Sequence, residues 1–146
     1  MLTKALLIAI TAHEGQVDKA GDPYIIHPFI VSSRMKTKDE CVVALLHDVV
    51  EDTEVTLLDL LNKEIPLHIV VAVDAISKRK GETRKEYLKR VAENDLAYAV
   101  KLEDIKHNSD QKRLDKLDSK EAAYLSKKYK EALEILDRER ASVIST

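Results

Sequence analysis

Apolar positions along the chain fall into segments of helical spacing, separated by short polar or glycine-containing breaks. Leu2 to His13 is mostly apolar and runs into Gly15, which predicts a heavily buried helix followed by a loop from Gly15 to Tyr24. Pro28 directly follows His27, and proline suits the first turn of a helix, so a short helix carrying Phe29, Ile30 and Met35 is expected with His27 at its mouth. Thr37 and Glu40 have capping-box spacing and open an apolar run from Val42 to Leu46, which delivers His47 and Asp48 near the far end of a core helix. Thr56 and Asp59 repeat the cap before Leu57, Leu58, Leu60 and Leu61, and Pro66 opens a helix through Val70, Val71 and Ile76.

The pattern breaks at Lys78, Arg79, Lys80 and Gly81, after which Thr83 and Glu86 cap a helix with Tyr87, Leu88 and Val91 on one face. From Asp95 onward Leu96, Val100 and Leu102 lead a helix to Asp104 and Asn108. The last segment, Ser119 to about Arg140, spaces Leu125, Tyr129, Leu133 and Leu136 as one apolar stripe against a densely charged face. Asp110 to Lys120 reads as the loosest stretch, and no repeat, low-complexity tract or linker interrupts the chain.

Composition narrows the class. With one Phe, no Trp, three Gly and three Pro among 146 residues, the mixture favours an all-α protein over a turn-rich sandwich. The length predicts one compact domain, residues 1–146, able to bury about two-thirds of its unfolded surface. A net charge of -2 supplies no global attraction to a nucleic-acid polymer or an anionic membrane, so neither partner is expected and any phosphate affinity must be local. The single cysteine, Cys41, lies beside Val42, Val43 and Ala44 and reads as a buried thiol. With no internal disulfide and no long apolar N-terminal stretch, a cytoplasmic location is expected, and homo-oligomerisation is left open.

Candidate chemistry gathers around two histidines and two aspartates. His47 and Asp48 are adjacent, and a metal ion lying in the groove between them is within reach of both side chains. Glu51 and Asp52 each follow one of the pair by four residues, so if the helix persists both acids lie beside it. Asn108 follows Asp104 by the same interval, adding a neutral donor and acceptor. The set His27, His47, Asp48 and Asp104 offers mixed nitrogen and oxygen ligands, which suit Mn²⁺ or another divalent first-row ion and leave octahedral positions for water and substrate. Such an ion activates water and neutralises charge on a phosphoryl oxygen, with Glu51 accepting a proton and Asp52 assisting, or the reverse.

Taken singly, each residue has a plainer reading. His47-Asp48 is a hydrogen-bonded helix end, His27 a turn residue before proline, and Asp104 a solvated acid; their joint occurrence with Glu51, Asp52 and Asn108 shifts the balance. His13, His68 and His107 suit packing or surface roles, with His107 a candidate to support a ligand from behind. Lys78, Arg79, Lys80 and Arg84, helped by Lys19 and Lys101, are candidates for a polyphosphate rim, against an equal alternative of a solvated basic loop. Gly15, Gly21 and Gly81 match neither Walker nor dinucleotide spacing, so an ATP-driven transferase is not expected.

In these residues the chain resembles the HD-domain superfamily of metal phosphohydrolases, and within it the hydrolase domain of RelA/SpoT-type alarmone enzymes and the small stand-alone alarmone hydrolases. The likeness runs from about His13 to Asp110, through Ala12-His-Glu-Gly-Gln16, Gly21-Asp-Pro-Tyr-Ile-Ile-His-Pro28, Ala44-Leu-Leu-His-Asp-Val-Val-Glu-Asp-Thr53 and Val100-Lys-Leu-Glu-Asp-Ile-Lys-His-Asn108. The resemblance implies a helical HD fold, Mn²⁺ held by His27, His47, Asp48 and Asp104, Glu51 and Asp52 acting on the hydrolytic water, and Asn108 contacting a nucleotide. It further implies removal of pyrophosphate from the ribose 3′ position of ppGpp or pppGpp, with no synthetase domain after residue 110. Two departures bear on the substrate. Asp18 stands where the family has an arginine against guanine, and Glu103 and Ile105 replace an alanine and an arginine flanking Asp104. Another nucleotide as substrate, or a nucleotide sensor without turnover, are the competing expectations.

Overall fold

The computed structural model describes residues 1–145 and is built from α-helices, with only an isolated bridge between Val17 and Pro23 besides. In chain order they are α1 (Leu2–Ala12), α2 (Ile26–Ser33), α3 (Lys38–Leu46), α4 (Val49–Asp52), α5 (Leu57–Asn62), α6 (Leu67–Ile76), α7 (Arg84–Ala92), α8 (Asp95–Asn108), α9 (Gln111–Leu114) and α10 (Ser119–Ser145). The all-α expectation holds.

α3 is the centre. Val42, Val43, Ala44, Leu45 and Leu46 are all buried, so beyond its first turn this helix is enclosed, and it touches α1, α2, α6 and α8. Its start is set by Thr37, whose hydroxyl accepts from the Glu40 N–H at 3.1 Å. α6 is almost as enclosed, through Ile69, Val70, Ala72, Val73, Ala75 and Ile76. α5 and α7 begin with complete capping boxes, Thr56 with Asp59 and Thr83 with Glu86, at the places the sequence marks. α8 is capped instead by Asn94, which accepts from the Ala97 N–H at 3.0 Å, and runs back across α2, α3, α6 and α7.

α10 lays Leu125, Ala132 and Leu136 against α7 and α8, and Arg140 clamps its far half by donating to the Ala92 carbonyl at 2.8 Å while covering the Tyr98 ring. Its stripe is the one read from the sequence, extended to Ser145. α1 departs from expectation. Ala5, Ile8 and Ala9 are buried, but Leu7 is 59% exposed and Ile10 46% exposed, because α1 packs chiefly on α3, through one face. Cys41 is half-buried, its thiol donating to the Ser32 carbonyl at 3.4 Å, so the expected interior thiol sits at the α2–α3 seam.

Leu46 is fully buried at the end of α3. Leu46→Ala is expected to destabilise the protein by about 2–5 kcal/mol, read as a lowered midpoint in denaturant titration.

Candidate metal centre and cleft

His47 and Asp48 do not ride a continuous helix. α3 stops at Leu46 with His47 as its C-cap, and Asp48 is the N-cap of the short α4. The interruption corrects the expectation of one helix through Asp52, and it has a use. Were the helix continuous, two consecutive side chains would diverge by about 100°. Here the His47 Nε2 atom lies 2.9 Å from Asp48 Oδ2. Glu51 and Asp52 then follow on α4, at the cleft rather than under it.

Three further elements converge on this break. α2 brings His27, whose Nε2 is 2.8 Å from Asp104 Oδ1 and 3.9 Å from Asp48 Oδ2. α8 brings Asp104, whose Oδ1 is also 3.4 Å from His47 Nε2. One ligand atom from each of His27, His47, Asp48 and Asp104 lies within 4.8 Å of the others. Neighbouring ligands of an ion with bonds of about 2.1 Å sit roughly 3 Å apart, so these separations suit a single first-row cation.

Hydrogen bonding supports the same use. The His47 Nδ1 atom is 2.5 Å from the Ala44 carbonyl, a bond that assigns Nδ1 as donor and turns Nε2 toward the cluster; against burial, Asp48 and Asp104 raise this imidazole well above its ordinary value, so a cation held between them would take the place of the Nε2 proton. That Nε2 is buried and, though close to two carboxylates, is aligned for a hydrogen bond with neither. A buried ring nitrogen left without a hydrogen-bond partner beside two aspartate oxygens fits a cation. His27 is backed by His107: their Nδ1 atoms are 2.7 Å apart and the rings stack at 4.9 Å. Burial, then the neighbouring His27, Arg113 and Arg34, push His107 down to about 4, so it stays neutral and accepts from His27 Nδ1–H. His27 Nε2 is thereby freed to face the cluster.

Asp104 carries the heaviest electrostatic demand. It is 5% exposed, and burial alone would neutralise it, but the Lys101 ammonium at 2.9 Å holds its carboxyl well below the usual range. Asn108 Nδ2 adds a second donor at 3.0 Å. Asp48 accepts from the Tyr24 hydroxyl in a very short bond. Burial raises Tyr24 far above the ordinary phenol value, with the Asp48 charge adding to it, so Tyr24 remains a donor at every working pH.

The cluster opens into a cleft of about 500 Å³. Asp48, Glu51, Asp52 and Asp104 line it together with Lys19, Lys101, Asn108, Arg113, Lys128 and Tyr129. A larger, mainly apolar groove of about 1240 Å³ runs along α1 and touches this chemistry only through Gln16 and Asp52. Glu51 accepts from the Lys78 backbone N–H at 2.6 Å, which fixes its orientation; burial raises its carboxyl, the Lys78 bond pulls it down, and nearby Asp48 raises it again. Asp52 is pushed up to about 6, by burial and then by Asp48 and Glu51. Two carboxylates poised above their ordinary range beside a cation pocket are equipped for proton transfer.

The basic loop is placed otherwise than expected. Lys19 and Lys101 line the cleft, but Lys78, Arg79, Lys80 and Arg84 do not. Arg79 is paired with Asp74 at 3.1 Å, Arg84 with Glu131 at 3.4 Å, and Lys78 reaches the site through its backbone. Four residues absent from the sequence-based site belong to it. Tyr24 lies in the same motif as His27, three positions earlier, which is the one signal that pointed to it. Arg113 comes from α9, inside the stretch read as loosest, and donates to Asn108 Oδ1 at 2.9 Å while pairing with Asp18 at 3.3 Å. Lys128 and Tyr129 come from the helix read as core completion. Ile105 faces the core at 1% exposure and Glu103 is paired with Lys106, so the departures beside Asp104 lie outside the cleft. His13 is buried on Gln16 and Tyr24, and His68 is an exposed partner of Asp39.

Helical layers around a two-histidine, two-aspartate pocket define the chain as an all-α protein with the HD fold, and the comparisons with known proteins agree. In sequence and fold it is similar to the RelA/SpoT-type HD domain. It is 41% identical over 92 residues to the bifunctional (p)ppGpp synthase/hydrolase SpoT of Escherichia coli (strain K12), covering 58% of this chain and 13% of that protein. It is 42% identical over 87 residues to the guanosine-3′,5′-bis(diphosphate) 3′-pyrophosphohydrolase of Haemophilus influenzae, covering 55% of this chain and 13% of that protein. A GTP pyrophosphokinase of Streptomyces coelicolor is 31% identical over 147 residues, covering 92% of this chain and 17% of that protein. The chain thus spans a small part of these relatives' length. A solved structure described as a metazoan ortholog of SpoT that hydrolyses ppGpp superposes with a TM-score of 0.70 at 22% identity, covering 99% of this chain and 93% of that one. No protein-family model matches.

Removing Asp104 strands the Lys101 ammonium in a largely buried place. Asp104→Ala is expected to cost about 3–5 kcal/mol in chelator-treated protein, with Asp104→Ala/Lys101→Met recovering much of it in the same denaturant titration. Asp52 supplies a pH test whose sign follows from its raised value. Its native form holds a proton up to about 6 while the unfolded form releases it near 3.8, so stability is full at low pH and declines as pH rises through that window. The melting temperature of metal-free Asp52→Asn should exceed wild type at pH 7 and meet it near pH 4; a gap independent of pH would remove this assignment.

Proposed function

We propose that the protein is a metal-dependent phosphohydrolase acting as a guanosine-3′,5′-bis(diphosphate) 3′-pyrophosphohydrolase, converting ppGpp or pppGpp to GDP or GTP and pyrophosphate. The observation that carries this reading is the buried cluster of His27, His47, Asp48 and Asp104 with Glu51 and Asp52 at the same cleft. The named activities of the similar proteins support the choice of substrate. In this reading residues 1–146 form one HD-type unit acting in the cytoplasm on a small nucleotide; no helix among the described residues is long and apolar enough to cross a membrane.

His27, His47, Asp48 and Asp104 would hold Mn²⁺ or a related divalent ion, which when bound supplies Lewis acidity toward water and the phosphoryl oxygens. Glu51, oriented by the Lys78 N–H, takes a proton from the attacking water. Oxygen attacks the phosphorus attached to the ribose 3′ oxygen, that phosphorus–oxygen bond breaks, and Asp52 passes a proton to the departing 3′ oxygen. The raised carboxyl of Asp52 suits a donor at neutral pH. Lys101 keeps Asp104 ionised, and Asn108, fixed between Asp104 and Arg113, orients a nucleotide oxygen. Lys19 lines the cleft as a phosphate contact, and Lys78, Arg79, Lys80 and Arg84 contribute a more distant positive field.

A second reading keeps the chemistry and changes the nucleotide. It is favoured by Asp18, which lines the cleft paired with Arg113 and offers no cation to stack on guanine. A sensor without turnover is disfavoured, since binding alone gives no reason to poise Glu51 and Asp52 beside the cluster.

Incubation of Mn²⁺-loaded protein with ppGpp should release GDP and pyrophosphate in equal amounts. Glu51→Gln should retain metal, measured by elemental analysis, and lower kcat by about 10²- to 10⁴-fold. Release of inorganic phosphate from other nucleotides, with ppGpp untouched, would establish the second reading instead.

A further inference from the structure

The cations of the cleft are unequal. Lys101 is committed to Asp104 at 2.9 Å, Arg113 to Asp18 at 3.3 Å, and Lys19 faces Glu121 at 3.5 Å. Lys128, one turn beyond the buried Leu125 on α10, lines the same cleft and makes no hydrogen bond or ion pair among the described residues. Other cations surround it. Burial and then Lys19, Arg84, Lys101 and Lys78 depress its ammonium below the ordinary lysine value, so positive charge from the Gly15–Tyr24 loop, the α6–α7 loop, α7 and α8 converges on one point of α10. Four of those groups have partners or lie outside the cleft, and the surplus is left at Lys128. The same cleft is lined by the acidic Asp48, Glu51, Asp52 and Asp104, and next to Lys128 in the chain stands the half-buried Tyr129.

We propose that Lys128 is a substrate-selecting residue that binds the phosphate group that is not cleaved, so that the cleft prefers nucleotides phosphorylated at two separate positions over those phosphorylated at one. The proposal rests on the phosphohydrolase reading of this cleft and adds α10 to it as a working wall. One phosphate arm lies at the acidic cluster with its cation, and the other neutralises the surplus charge at Lys128. Tyr129 and Leu125 give the sugar or base an apolar face between the two. A substrate with one phosphate arm satisfies only that cluster and leaves Lys128 solvated.

Full-length wild type, Lys128→Ala and Lys128→Arg are compared on ppGpp and on guanosine carrying phosphate at the 3′ position alone. Expected for Lys128→Ala is a rise in KM of about tenfold on ppGpp, a change below about twofold on the one-armed substrate, kcat nearly constant, and recovery in Lys128→Arg. An equal shift on both substrates, or none, overturns the assignment. Calorimetric binding of inorganic pyrophosphate to metal-free protein separates this from the reaction itself. Binding weakened about tenfold by Lys128→Ala supports the subsite even if ppGpp is not turned over, whereas binding indifferent to Lys128 overturns it whatever the turnover.

Discussion

The buried negative charge of Asp104 is the constraint around which the site is organised. A carboxylate at 5% exposure is sustained only by close partners: Lys101 and Asn108 on its own helix donate to it, and His27 from α2 and His47 from the end of α3 face it. Asp48 adds a second negative charge to the same small space. Two aspartates with two imidazoles facing them would be stabilised by a cation that joins them, which ties such a ligand set to the packing of α2, α3 and α8.

The break between α3 and α4 is the second determinant. From Val42 to Leu46 α3 is buried on every side, its acids Asp39 and Glu40 lying in the first turn, and the enclosed part has no room for carboxylates. Ending it at Leu46 lets His47 remain inside while Asp48, Glu51 and Asp52 turn toward the cleft. The cost is visible in the raised carboxyls of Glu51 and Asp52, pushed up by burial and then by Asp48, with Glu51 adding to the effect at Asp52. Under the proposed function, carboxyls raised in this way weaken the fold that holds them, a common tension between stability and activity.

The cleft acquires its opposite wall from the charged C-terminal part of the chain. Arg113 on α9 ties Asp18 of the Gly15–Tyr24 loop to Asn108, and Lys116 reaches Asp22 of the same loop at 2.8 Å. Gly21, at φ +87°, supplies the left-handed turn that lets this loop fold back. Asp18, a departure from the family pattern at the level of sequence, is in the fold a brace for Arg113 as well as for the loop backbone, through the N–H groups of Ala20 and Asp22.

The sequence by itself determined the helical class, the caps at Thr37, Thr56 and Thr83, the stripe of α10 and the identities of the clustered histidines and aspartates, because capping and amphipathic spacing are local and the cluster residues lie in compact motifs. It misread the burial of α1 and the continuity of helix through His47, since a one-sided apolar pattern does not reveal whether a neighbour covers it or where packing ends a helix. The role of the cations was decided only in three dimensions. Arg79 and Arg84 found carboxylates away from the cleft, while Arg113 and Lys128, in stretches without any motif, arrived at it. A lysine or arginine carries the same charge wherever it stands in the chain, and the side chains that approach it across long sequence separations decide whether that charge is spent or left for a ligand.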